Sequence, residues 1–370
     1  MSATIRALLT LLLPIVALAA IAFAVLLTLL DLLATPLLLL LRRPPRDERP
    51  RTRDASIVVL NWNGVDFLKE LMPSLRVAVE RCPGDHEVIV VDNGSSDDSI
   101  AWLTREHPWA KRVSLPENLH FIRGNAAGAK AATRDLIVYL NNDMRVEPDW
   151  LVELLRPFVT DTAGDLFATT SRIEMQGQRK ETGLARCFVK KGELRFVQPA
   201  GTDADDGAPV LWAGGGCSAF DRHKHDAIGG FERLYVPCYV EDVSLSYQAW
   251  RRGWRAIYCH RSVVHHAHRG SSAKVFSRAA LERLDWRNRE LFFVRSVTDP
   301  RLVLAHGLWL WWNLPKRARQ LELTVADGVL ALLATLPRLP AALWQRQTAR
   351  RAYRRSDAAV LRTTATTRGA

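Results

Sequence analysis

What the sequence has little of narrows its class first. Its 370 residues hold only five cysteines, Cys82, Cys187, Cys217, Cys238 and Cys259. They are odd in number, far apart and never in a Cys-x-x-Cys pair. Neither a disulfide framework nor a structural zinc site is expected, and a reducing compartment suits them. No Gly-Lys-Ser/Thr follows a glycine-rich loop, so there is no Walker A element. No zinc-knuckle, recognition-helix or RNA-binding-sheet signature is present, which argues against nucleic acid as a partner. Internal repeats are lacking too. Only Arg6 precedes the first apolar run, which is not the basic leader of a cleaved signal peptide.

Composition is otherwise that of a folded chain, 48% hydrophobic and 24% charged. The balance is basic, with 51 Lys and Arg against 39 Asp and Glu and a formal charge of +12. That suits anionic lipid surfaces and nucleotide phosphates. Residues 7–41 are almost wholly apolar, broken by Pro14, Asp31 and Pro36. A helix of about 35 residues would reach about 50 Å, against about 30 Å of bilayer hydrocarbon. The expectation is a transmembrane helix over 8–30, a bend near Asp31–Pro36 and an interfacial stretch, with a re-entrant hairpin as the rival geometry. Six arginines between 42 and 53, against Arg6 alone, place the chain beyond residue 42 in the cytoplasm by the positive-inside rule.

The expected organisation is a membrane anchor at 1–41, a basic Pro/Arg linker at 42–55 and an α/β domain at 56–278. Amphipathic membrane-surface helices come next at 279–355, with the tryptophans of Leu308–Trp312 as an interfacial belt, then a disordered tail at 356–370. Within the domain, 56–61 (SIVVLN), 87–93 (EVIVVDN) and 136–141 (LIVYLN) read as buried strands, with a weaker one ending at Asn118. Phe67, Leu68, Leu71, Met72, Leu75 and Val79 mark a helix face behind the first, and a helix over about 241–252 precedes a strand at 254–259. Near-continuous apolar strands alternating with helices indicate a doubly wound sheet with a parallel core.

Ligands of such a sheet sit beyond the carboxyl ends of its strands. Three strands end in Asn/Asp clusters: Asn61-Trp62-Asn63-Gly64, Asp92-Asn93-Gly94-Ser95-Ser96-Asp97 and Asn141-Asn142-Asp143. Turn chemistry alone explains one such cluster, but three on one rim point to a site. The loop Asn118–Gly128 carries Gly124, Asn125 and Gly128, which would let backbone approach an anion at a helix starting near Ala126; a plain loop-to-helix turn is the alternative. Glu241 and Asp242 open a helix, so their side chains diverge by about 100° and cannot share one task. Acidic residues there also simply stabilise the helix N-terminus.

These residues, with ENLHFIRGNAAGAKAA, GGGCSAFDRHKHDAIGGFERLYVPCYVEDVSLSYQAW and SVVHHAHRGSS in this order, resemble glycosyltransferase family 2, from Ser56 to about Ser272. The resemblance is to inverting, rhamnosyltransferase-like bacterial membrane members with the Rossmann-like GT-A fold. It implies a sugar moved from a nucleotide-diphosphate donor to a hydroxyl of a lipid-linked saccharide, in cell-surface polysaccharide assembly at the inner membrane. Asp92 then binds the donor's base or ribose, with Asn61, Asn63, Asn93, Asn118, Gly124, Asn125, Asn141 and Asn142 as further donor-binding residues. Asp143 falls on the metal-binding Asp-x-Asp position for Mg²⁺ or Mn²⁺, with Asn141 replacing the first carboxylate. Asp242 is the implied base, while Glu241 orients the acceptor or its loop. His265 or His266 meets the metal or diphosphate, the two being equal on sequence, and Arg269–Ser272 forms a lid. A synthase loading sugar onto polyprenyl phosphate and a catalytically dead membrane scaffold are the alternatives.

Overall fold

The computed structural model describes residues 10–42, 53–175, 181–266 and 276–365, with residues 4 and 8. Most of the basic linker, His268 and the expected lid at 269–272 lie outside the described residues. The chain forms two units, one of residues 45–186 and 197–271, the other of residues 1–44, 187–196 and 272–370. The expected domain at 56–278 is thus interrupted, because residues 187–196 leave it.

The first helix, α1, spans Leu13–Leu40. Leucine and alanine favour it, and Pro14 sits in the first turn, where its missing N–H costs nothing. The expected end at residue 30 and the bend near Asp31–Pro36 do not occur. The helix is continuous through both residues, and the Asp31 charge is neutralised where it stands, by Arg346 and Arg350.

In the sheet-bearing unit the elements are β1 (Ala55–Asn61), α2 (Val65–Arg81), β2 (Glu87–Asp92), α3 (Ser99–Glu106), β3 (Lys111–Ser114), α4 (His120–Ala131), β4 (Leu136–Asn141), β5 (Met144–Val146), α5 (Trp150–Thr160), β6 (Leu166–Met175) and β7 (Glu181–Thr182). The hairpin β8 (Arg186–Lys190) and β9 (Glu193–Val197) follows, then β10 (Cys217–Asp221), α6 (Arg222–Ile228), α7 (Glu241–Arg252) and β11 (Arg255–His266). The sheet order is β3-β2-β1-β4-β10-β6-β11-β5, with β7 beside β6. β1, β2, β3 and β4 are parallel, β10 and β5 antiparallel to their neighbours. The sheet is therefore mixed around a parallel core. β1 and β2 are apolar on both faces because helices cover both. Their core continues through Leu68, Leu71, Met72, Leu75 and Ala78 of α2 and Leu151, Leu154 and Phe158 of α5.

Four boundaries differ from the sequence reading. β3 ends at Ser114 rather than Asn118, α4 begins at His120 rather than near Ala126, and β11 runs on to His266. The fourth is the tail expected to be disordered: it carries α12 (Asp357–Thr363), with Val360 buried and Asp357 accepting from the backbone of Thr298 and Asp299. The other helices of that unit are α8 (Arg278–Ser296), α9 (Pro300–Gln320), α10 (Val325–Leu333) and α11 (Leu339–Arg350). Trp286, Leu314, Ala318, Val329 and Ala331 form its core. The β8–β9 turn belongs here: His306 Nδ1 lies 3.1 Å from Gly192 O, and Asn313 Nδ2 donates to Lys191 O. By length and composition, Leu13–Leu40 and Val325–Arg350 would each suffice to cross a membrane.

Candidate active site

Parallel register sets Asn61 beside Asp92, and on the other side of β1 the strand β4 ends at Asn141, opposite Leu60. Most asparagines of this rim bind the loops to one another. Asn61 Oδ1 accepts from Asn142 Nδ2 at 2.7 Å, and Asn63 Oδ1 accepts from Ser96 N at 2.7 Å. Asn93 Nδ2 donates to Asn118 Oδ1 at 2.9 Å, while Asn93 Oδ1 accepts from Leu119 N at 2.8 Å. Ser95 Oγ accepts from Asn63 N, and Asp97 accepts from Val65 N, so both residues of the second polar cluster tie the loops together. Asp92 differs. It is buried, its Oδ2 meets Ser95 N at 3.4 Å, and its Oδ1 has no hydrogen-bond partner among the described residues. A buried carboxylate oxygen left open in this way could accept from a ligand or a water.

Gly124 and Gly128 do not form a loop. Both lie inside α4 and face the sheet. A Cβ on Gly124 would stand 2.5 Å from Leu60 Cδ1, and one on Gly128 2.2 Å from Val58 Cγ1. They let the helix pack closely on β1 and β2. Asn125 is also buried, its Nδ2 donating to Phe121 O one turn back. These corrections share a cause: the helix starts six residues earlier than its polar, glycine-rich sequence suggests.

Asp143 sits between β4 and β5, and antiparallel pairing of β5 with β11 sets His266 opposite Met144. Asp143 is buried, and its Oδ1 lies 3.2 Å from His266 Nε2. Successive strand residues point to opposite faces, so His265 turns away. Its Nε2 lies 2.6 Å from Glu147 Oε1 and its Nδ1 3.4 Å from Glu174 Oε2. The two histidines that sequence left equal are thus separated, and His265 is not placed as a partner of Asp143. Among the described residues no three His, Cys, Asp or Glu converge as a metal site. One carboxylate and one imidazole nevertheless fit a divalent cation that takes its remaining ligands from a diphosphate and water.

At α7 the backbone is strained: Tyr239 and Val240 have φ of 74° and 73°. A β-branched residue in the left-handed region is a rare outlier, and such strain collects at functional sites. It turns the chain so that Glu241 is buried and Asp242 half-buried at the helix start. Asp242 Oδ1 accepts from Val243 N at 2.8 Å and Oδ2 from Gly215 N at 3.3 Å. The helix dipole favours the ionised carboxylate there. The next glycine reaches the end of β4, since Asn141 N donates to Gly216 O at 2.8 Å and a Cβ on Gly216 would stand 2.6 Å from Asn141 Nδ2. Gly214–Gly216 thereby joins β4's end to α7's start. Nearby Cys217 is pushed up to about 12 by burial and stays a neutral thiol.

Residues 56–229 match Glycosyl transferase family 2. The chain is 24% identical over 229 residues to N-acetylgalactosaminyltransferase 6 of Drosophila melanogaster, covering 58% of this chain and 34% of that protein. It is 34% identical over 110 residues to an undecaprenyl-phosphate 4-deoxy-4-formamido-L-arabinose transferase of Sodalis glossinidius, covering 29% and 34% respectively. The chain thus spans about a third of the length of these relatives. Among solved structures, GalNAc-T7 with UDP, GalNAc and Mn²⁺ superposes with a TM-score of 0.54 at 13% identity, over 76% of this chain and 57% of that one. S. aureus TarS 1-349 in complex with UDP-GlcNAc gives 0.53 at 12% identity, over 80% and 89%. The fold is shared with these glycosyltransferases, and residues 56–229 carry the match to glycosyl transferase family 2.

Proposed function

We propose that the protein is an inverting glycosyltransferase that moves a sugar from a nucleotide-diphosphate donor to a hydroxyl of a membrane-linked saccharide. One observation carries this. The Gly214–Gly216 segment holds Asp242, half-open at a helix start, and also holds Asn141 beside the Asp143–His266 pair. A carboxylate is thereby set near a place where a diphosphate could be held.

In this reading Asp92 Oδ1 accepts a hydrogen bond from the donor's base or ribose. Asp143 and His266 would hold Mg²⁺ or Mn²⁺, which when bound screens the charge of the leaving diphosphate. Asp242 takes the proton of the acceptor hydroxyl while that oxygen forms its bond to the anomeric carbon from the side opposite the diphosphate. The bond from carbon to diphosphate oxygen breaks, and the configuration inverts. Glu241, buried behind, positions the loop. The UDP and Mn²⁺ of GalNAc-T7 and the UDP-GlcNAc of TarS support such a donor. The apolar α1 and the arginines after it support a bacterial inner-membrane location with this site in the cytoplasm.

A second reading, transfer to polyprenyl phosphate, is favoured by the relatives named undecaprenyl-phosphate transferases. A phosphate nucleophile needs no strong base, so Asp242 separates the two. The test is release of nucleoside diphosphate from a panel of nucleotide sugars, with Mn²⁺, Mg²⁺ or EDTA. Metal-dependent release from one donor is expected; no release from any donor, or full activity in EDTA, would contradict the reading.

A further inference from the structure

The apolar helix α1 is packed along its whole length, not at one end. Leu13 and Val16 join the Trp286–Leu314–Ala318 core. Gly307 of α9 meets Ala20 and Ala24 so closely that a Cβ there would stand 2.7 Å from Ala24 Cβ. Further along, Asp31 is buried, with both carboxylate oxygens 3.0 Å from Arg346 Nε and Oδ1 2.9 Å from Arg350 Nη1. Arg350 Nη2 donates to Asp31 O and to Thr35 Oγ1. Leu38, buried, ends the stripe. From Leu13 to Leu38 is about 37 Å at 1.5 Å per residue.

The opposite face is exposed over the same length. Leu11, Ile15, Leu18, Val25, Leu29, Leu33, Leu37 and Leu40 are all solvent-facing, spaced three, four or seven apart. An apolar stripe of this extent demands a cover.

If α1 stood upright in a bilayer, one of its two packed ends would lie at the far leaflet. Both ends carry charge. Beside Leu13 and Val16, Arg317 lies over Trp286 and pairs with Asp285, and Arg283 pairs with Asp327. Beside Asp31 stand Arg346 and Arg350. Arg317 also pairs with Glu193 of the β8–β9 hairpin. With Arg317 at the far leaflet, that hairpin would have to cross the membrane and return. Its ten residues, 187–196, allow about five each way. At about 3.4 Å per residue that is about 17 Å, against about 30 Å of hydrocarbon.

We propose that α1 lies in the plane of the membrane, its leucine stripe sunk into one anionic leaflet and its packed stripe turned to the helices, so that it does not cross the bilayer. The in-plane depth of such helices is about 5–10 Å, with the charged groups left at the headgroups. The arginines from Arg42 to Arg53 directly follow the stripe, and their charge complements anionic lipid. This deepens the membrane reading of the proposed function and rests on it.

The five native cysteines are buried, so a label at an introduced exposed cysteine reports one position. Leu18→Cys and Leu33→Cys, 69% and 78% exposed, are each labelled with an environment-sensitive fluorophore in the full chain. The protein is then reconstituted in vesicles of anionic phospholipid carrying nitroxide quenchers at shallow or deep acyl positions. In-plane α1 predicts shallow quenching at both sites, with quenching depths within about 5 Å of each other. Spanning α1 would separate them by about 22 Å, fifteen residues of helix rise, and would overturn the proposal. Lipid quenching at neither site would overturn it too, by removing the membrane reading or showing the stripe covered by a second copy. Asp31→Leu, which leaves two guanidiniums without their carboxylate, should loosen the α1 end and lower quenching at residue 33 more than at residue 18; equal quenching changes would contradict the Arg346–Asp31–Arg350 tie.

Discussion

Replacing Gly128 by alanine should damage the fold rather than the chemistry. The new Cβ would stand 2.2 Å from Val58 Cγ1 and 2.9 Å from Val91 Cγ2. Carbon contacts are optimal at about 3.5–4.0 Å, so the gap is short by more than about 1 Å on the Val58 side. Both valines are fully buried in β1 and β2, and β-branched side chains have little rotamer freedom to yield. α4 must then lift from the sheet, an overpacking cost of up to about 3 kcal/mol. Alanine returns about 1 kcal/mol through its better helix propensity. The net loss of about 2 kcal/mol corresponds to a fall in Tm of about 4–8 °C for a unit of this size. A thiol-reactive dye reads unfolding directly, because Cys82, Cys217, Cys238 and Cys259 are buried in this unit. The variant should unfold early while the folded fraction binds donor within a few-fold of the parent. Unchanged Tm with lost donor binding would refute the packing role and restore a ligand-facing glycine.

Gly214→Ala is the matching control: nothing lies within 4 Å of its Cβ position, so melting should not move, as the same dye will show. Asp143→Ala or His266→Asn should weaken metal-linked donor affinity at least tenfold by calorimetry, whereas Asn141→Asp, adding a carboxylate beside Asp143, should tighten Mn²⁺ binding; equal Mn²⁺ affinity in all of them would contradict the metal assignment. Burial pushes Glu87 up, but Lys111, Ser56 and Thr133 outweigh it and hold the carboxyl at about 2, below its ordinary 4.5. A depressed carboxyl stabilises the fold above 4.5 and loses that contribution as pH falls toward 2, so Glu87→Gln should flatten this acid limb by about 2–3 kcal/mol in denaturant titrations.

The strand core was legible because its pattern is made by burial: SIVVLN, EVIVVD and LIVYLN are apolar on both faces and end where polar residues begin. Asp92, Asp143 and Asp242 stood out because each closes or opens such an element. Sequence could not separate His265 from His266, since only the pairing of β11 with β5 decides which face each takes. It mistook Gly124 and Gly128 for a phosphate loop because glycine serves close packing and close ligand approach equally well. Asp31 looked like the end of an apolar helix, for its partners lie more than three hundred residues away on α11. The tail at 356–365 looked disordered by composition, whereas a cap at Ser356 and the Asp357 contacts with Thr298 and Asp299 order it.

The most direct test of the catalytic account is the turnover of Asp242→Asn with a hydroxyl acceptor, measured beside its donor affinity. The substitution keeps the shape and an oxygen that can accept from either Gly215 N or Val243 N, but not both, and removes the basic carboxylate. Loss of a general base costs about 10²–10⁴ in rate, which is about 3–5 kcal/mol of barrier. The account predicts that loss in kcat with donor Kd within a few-fold and with Glu241→Gln affected less. Turnover near that of the parent would contradict it.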